Sequence, residues 1–132
     1  MALQGVNQYR SYQAETAGPE ERVVLLYDGA RRFTDKALQA LHNGNFEAVN
    51  TYTGKAQRIL EEFLTTLNFD AGEVAENLAK LYEYWIWRLS QGLIHKDEAA
   101  FAEVSAALVE MHAAWAEAAR KVRIDREARS VG

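Results

Sequence analysis

The side chains whose types and spacing come nearest to chemistry are three histidines, two pairs of adjacent glutamates and one internal methionine. A carboxylate-bridged di-iron centre in a helical bundle needs Glu-x-x-His on two helices. The residues three before His42, His95 and His112 are Gln39, Gly92 and Val109, so that pattern is absent. Haem needs an axial His or Met on a buried face. Met111 falls on an apolar stripe with no second axial ligand in sight, and core packing accounts for it better. His42 and His95 fall at the ends of helical runs, where an imidazole meets terminal carbonyls. His112, followed by Ala113 and Ala114, reads as partly exposed. Glu20-Glu21 and Glu61-Glu62 point about 100° apart on a helix, which makes them solvated faces rather than acid/base pairs. Neither Gly-x-x-x-x-Gly-Lys nor Gly-x-Gly-x-x-Gly occurs. With no cysteine, thiolate metal sites and thiol nucleophiles are excluded as well. No catalytic residue, metal or cofactor is expected, and an enzyme or cofactor bundle is the weakest of three readings.

A chain of 132 residues implies one domain, and 48% hydrophobic residues argue against disorder. A net charge of -4 without a basic stripe makes nucleic acid a poor partner. Residues 1–5 lack the charged and apolar regions of a signal peptide, and no apolar run approaches the ~20 residues that span a bilayer. The expectation is a cytosolic protein with no membrane insertion.

The elements that must position these side chains are four helical runs. The single proline, Pro19, suits a first helical turn, and Glu20 and Glu21 favour the positive end of the helix dipole. Val23, Leu26, Ala30, Phe33, Ala37 and Leu41 then recur at helical steps until Asn43-Gly44 stops the run near His42. Asn45 caps a second run, in which Phe46, Val49, Thr53, Ala56, Leu60, Phe63 and Leu67 keep 3-4 spacing to about Asn68. After a short connection over 68–72, a third run covers Glu73 to Ile94. It carries one stripe of Val74, Leu78, Leu81, Trp85 and Gly92, and a second of Tyr82, Ile86, Leu89 and Leu93. His95-Lys96-Asp97 forms a tight turn with Asp97 as N-cap, and a fourth run follows from Phe101 to about Val122. Short connections force neighbours antiparallel. The fold class is therefore all-α, an antiparallel four-helix bundle over 19–122. Residues 1–18 form a flexible N-terminal arm, and 123–132 a frayed, charged C-terminal tail.

One feature exceeds what a bundle needs. Tyr82, Tyr84, Trp85, Ile86 and Trp87 fall within six consecutive positions of one helix. If each helix offers the core a single stripe, some of them face outward or line a groove, and exposed aromatic patches mark interfaces. The rival account is a thick core with amphipathic tyrosines at its rim. A structural bundle that uses this wide third helix for homodimerisation stays open as the second reading.

Several blocks together resemble a known family, the flagellin-specific export chaperones of the bacterial flagellum (FliS). They are Asn7-Gln8-Tyr9, Thr16-Ala17-Gly18-Pro19-Glu20, Leu25-Leu26-Tyr27-Asp28-Gly29-Ala30, Lys55 to Glu62, Thr66-Leu67-Asn68, Glu73 to Leu78, Leu81 to Tyr84, Arg88-Leu89 and Trp115. They lie in the family's order and spacing over about 6–120. Gly18 replaces a usual serine, so Thr16 is expected to cap in its place. Trp85 replaces a common methionine, and Gly92-Leu93 a usual Ala-Asn.

The resemblance implies two protein partners: the disordered C-terminal segment of flagellin, and the cytoplasmic domain of the flagellar export gate. It implies that the client folds as helices on grooves of the bundle, which prevents premature polymerisation. Combined with the aromatic excess, it assigns the flagellin groove to Tyr27, Leu78, Tyr82, Trp85, Ile86 and Leu89. It assigns Val6 and Tyr9 of the arm to export-gate docking or to covering the groove. A monomer or weak homodimer is expected.

Overall fold

The computed structural model describes residues 18–131. Four helices run in series: α1 Pro19–His42, α2 Phe46–Thr66, α3 Glu73–His95 and α4 Glu98–Val131. A single 3-10 turn, Phe69–Ala71, sits between α2 and α3, and there is no strand among the described residues. The expected arm lies outside the described residues except for Gly18, and Thr16, Val6 and Tyr9 lie outside them too.

Local chemistry sets each boundary. Pro19 opens α1 without wasting an N–H, and Glu21 Oε2 accepts from the Gly18 N–H at 3.4 Å. Gly44 takes φ 74°, a left-handed turn that a side chain would strain, and so ends α1 at Asn43. Asn45 Oδ1 accepts from Ala48 N at 3.2 Å to cap α2, and Asp97 Oδ1 accepts from Ala99 N at 3.0 Å at the start of α4.

The helices form a closed square. α1 packs on α2, α2 on α3, α3 on α4 and α4 back on α1, with no diagonal pair. Each helix therefore packs its backbone on two neighbours, diagonal helices meet only through side chains at the axis, and each connection is short enough to make neighbours antiparallel. The core consists of Tyr27, Ala30, Ala37, Val49, Ala56, Leu60, Phe63, Tyr82, Trp85, Leu89, Phe101, Val104 and Leu108.

The fourth helix departs from expectation. It does not fray at Val122 but continues as helix to Val131. No proline or glycine interrupts residues 123–131, and the Arg126 guanidinium reaches the Glu20 carboxylate at 2.7 Å, tying the end of α4 to the start of α1.

Candidate client-binding surface on helix α3

Two of the four seams meet on α3, and this resolves its double apolar stripe. On one edge, Gln57 of α2 donates to the Ile86 carbonyl at 3.0 Å and lies 2.8 Å from Ser90 Oγ, fixing the α2 seam. On the other edge, Gly92 meets α4. A Cβ there would stand 2.8 Å from Phe101 Cε2 and 2.9 Å from Ala100 Cβ, so only glycine allows this approach. The premise of one stripe per helix was too narrow, because a helix in a square bundle needs a stripe for each neighbour.

The four helices converge on an aromatic plug. Tyr27 of α1 stacks on Phe63 of α2 with ring centroids 4.6 Å apart and on Trp115 of α4 at 6.3 Å. Phe63 stacks on Tyr82 of α3 at 5.2 Å, and Trp85 meets Tyr82 edge-on at 5.9 Å. The Tyr27 and Tyr82 hydroxyls hydrogen-bond to each other at 2.5 Å, one donating and the other accepting. Burial pushes the Tyr27 phenol far above its ordinary range and raises that of Tyr82 as well.

The structure thus separates the expected groove residues. Tyr27, Tyr82, Trp85 and Leu89 are buried, which corrects any outward orientation for Tyr82 and Trp85. The reason is helical phase: 82, 85 and 89 follow 3-4 steps along the line that faces the bundle axis. Leu78 continues that line one turn toward the start of α3 and Ile86 lies at its α2 edge, both half-buried against the core. The outward residues are Tyr84 and Trp87, 42% and 54% exposed, whose rings lie 5.9 Å apart. Leu81, Val74 and Ile94 are exposed as well, Val74 and Leu81 on the α4 side of the helix and Ile94 beside Trp87 on its outer side.

The α3–α4 seam is tight at one end and open at the other. Near the turn, Tyr84 Oη donates to Glu103 at 2.5 Å and Arg88 Nε donates to the same carboxylate at 3.1 Å. Arg88 also reaches Asp97 at 3.5 Å. The Tyr84 hydrogen bond, then that from Arg88, holds the Glu103 carboxyl below the usual range, while the bond to Glu103 raises the Tyr84 phenol. Toward the start of α3 no such clasp occurs among the described residues, and Val74 and Leu81 are exposed. Across the seam, the α4 edge carries half-buried Ala107 and Met111 and exposed Ala114. Together, Val74, Leu78, Leu81, Ala107, Met111 and Ala114 make this half of the α3–α4 seam apolar and lined in part by small residues.

Nothing in this arrangement resembles reaction machinery. Among the described residues, no three of His, Asp and Glu converge to hold a metal ion. The Nδ1 of His42, at the end of α1, lies 3.2 Å from Glu98 at the surface. Likewise, no described helix is long and apolar enough to cross a membrane.

The family described as flagellar protein FliS matches residues 2–122. The chain belongs to that family. It is 36% identical over 129 residues to the flagellar secretion chaperone FliS of Bacillus subtilis, covering 96% of this chain and 95% of the relative. To the flagellar secretion chaperone FliS of Salmonella typhimurium it is 32% identical over 117 residues, covering 84% and 87%. To the flagellar secretion chaperone FliSB of Pseudomonas aeruginosa it is 30% identical over 119 residues, covering 86% and 94%. These relatives are chaperones and not enzymes, and the family carries an export-chaperone role for this chain.

The aromatic surplus read from the sequence included Tyr84 and Trp87, but the groove assignment passed over both, and Leu81 was placed in an apolar stripe rather than on the accessible side. The signal was present in the spacing: Trp87 and Ile94 are seven residues apart, on the side of the helix opposite Leu89.

Proposed function

We propose that this chain is a cytosolic export chaperone for flagellin. It binds the disordered C-terminal segment of flagellin, keeps it from polymerising early, and delivers it to the cytoplasmic domain of the flagellar export gate. The observation that supports this most is the exposed apolar surface of α3, with Val74 and Leu81 toward α4 and Tyr84, Trp87 and Ile94 on the outer side, in a protein of the secretion-chaperone family. An amphipathic client helix lays its apolar anchors along such a surface and into the seam beside α4, offsetting its ordering entropy with contact area.

The expected groove residues take two roles in this reading. Leu78 and Ile86 touch the client from the edge, while Tyr27, Tyr82, Trp85 and Leu89 form the floor that holds the surface rigid. Val6 and Tyr9 of the arm serve the export gate or cover the client surface before loading.

The test is an affinity measurement with the C-terminal segment of the same organism's flagellin, on wild type and on Leu81→Ala, Ile86→Ala and Trp87→Ala. Loss of binding without loss of melting temperature supports the α3 surface. Unchanged affinity in all three removes it. The same exposed surface favours homodimerisation as the second reading, and sedimentation that shows a dimer abolished by Trp87→Ala, with no client binding, would establish it instead. Secretion assays of Val6→Ala/Tyr9→Ala test the arm: flagellin export equal to wild type would exclude a role for it.

A further inference from the structure

On the α1–α2 side, Phe33 and Tyr52 stack with centroids 6.2 Å apart. Two ammonium groups stand over this one aromatic pair. Lys36 Nζ is 6.0 Å from the Phe33 ring and 5.5 Å from Tyr52, and Lys55 Nζ is 5.5 Å and 5.8 Å from the same rings. Among the described residues neither lysine pairs with a carboxylate. The ion pairs of α1 engage Asp28 and Asp35 through Arg31 and Arg32 instead. Arg58, exposed one turn beyond Lys55, adds a further cation to this side.

The ring faces attract both ammonium groups and hold two cations at one small site. A carboxylate that docks on the ring pair meets both charges. The protein as a whole carries a net charge of -4, so this notch is a local reversal of sign. The surrounding block of α2 is otherwise used by the fold. Ala56 and Leu60 are buried in the core and Gln57 ties α2 to α3, whereas Lys55 is exposed and takes no part in the core.

We propose that the Phe33–Tyr52–Lys36–Lys55 notch binds an acidic segment of a second protein partner while the chaperone holds its client. The square order of the helices puts the α1–α2 seam opposite the α3–α4 seam, so the two surfaces can be filled together. That simultaneity rests on the client reading above; the notch itself does not. The chemistry fits a protein acid better than other anions. Membrane-binding clusters use about four to eight basic residues, and nucleic acid needs a longer basic stripe.

The experiment titrates the isotopically labelled full chain with an amidated peptide of glutamates around one central phenylalanine, and separately with vesicles of phosphatidylglycerol. The expected result is amide shifts centred on Phe33, Lys36, Tyr52 and Lys55, with the Lys36→Gln/Lys55→Gln variant weakening the peptide about fivefold. About 0.5 M salt weakens it similarly. A Lys80→Gln/Lys121→Gln control binds as wild type, and all variants keep their circular dichroism. The proposal is overturned if shifts are absent or lie elsewhere, if the control loses as much affinity, or if vesicles bind through the two lysines and the peptide does not. Flagellin affinity measured on the same lysine variant stays unchanged, so failure here and failure of the client reading are separate results.

Discussion

Tyr82 and Tyr84 stand two residues apart in one helix and live in opposite worlds. Tyr82 is 2% exposed and shares its hydroxyl with Tyr27, while Tyr84 is 42% exposed and gives its hydroxyl to Glu103. Trp85 and Trp87 repeat the contrast at 4% and 54%. The same residue types serve as keystone and as contact surface, and only helical phase separates them. The inner pair carries fold stability and the outer pair is the one we propose for recognition, so mutations should divide cleanly between the two readouts.

The largest expected effect is on the inner face. Trp85→Ala, and equally Phe63→Ala or Leu108→Ala in the neighbouring helices, should cost about 2–5 kcal/mol of unfolding free energy. Tyr84→Ala and Trp87→Ala should cost about 0.5 kcal/mol or less. Denaturant titration checks both, and equal losses on the two faces would break the comparison.

Next is Gly92, where the inner face touches α4. The contact with Phe101 and Ala100 leaves no room for a methyl group. Gly92→Ala should therefore destabilise by about 1–3 kcal/mol despite alanine's better helix propensity. A gain in melting temperature would show that the turn can relax.

On the outer face, Leu81→Ala and Trp87→Ala should each weaken flagellin binding by about 1–2 kcal/mol, roughly five- to thirtyfold. Calorimetry with the C-terminal client segment reads this directly.

The smallest effect sharpens the contrast between the tyrosines. Both phenols titrate above the ordinary 10.0, but burial comes first for Tyr82 and the Glu103 hydrogen bond first for Tyr84. Glu103→Gln should return Tyr84 toward its ordinary range and leave Tyr82 raised, as tyrosine carbon NMR across alkaline pH would show. For each tyrosine the sign is the same: its contribution is full below pH 10 and fades as pH rises through the folded value. Glu103, with its carboxyl lowered, contributes fully above pH 4.5 and loses that contribution as pH falls below it.

Much of the architecture was legible because its signals are local. Asn43-Gly44, Asn45 and Asp97 mark boundaries through turn and cap chemistry that depends on a few neighbouring residues. The 3-4 seams of α1, α2 and α4 each point one way. What escaped depends on other helices. The end of α4 stays helical and meets Glu20 through Arg126, a contact between residues more than a hundred positions apart in the chain. The orientation of α3 is set by Gln57 and Phe101, which no reading of 73–95 alone contains. The surplus of aromatic residues was visible, but which of them faced outward was settled by those two seams.

The placement of the three tryptophans has an optical consequence. Trp85 sits in the dry interior, Trp115 is half-buried against Tyr27, and Trp87 stands in solvent on the outer side of α3. The chain therefore carries two intrinsic fluorophores that report on its fold and one that reports on its surface. With Trp85→Phe and Trp115→Phe, the remaining emission would shift to the blue as a client covers Trp87, and loading of the chaperone becomes visible in real time without a label.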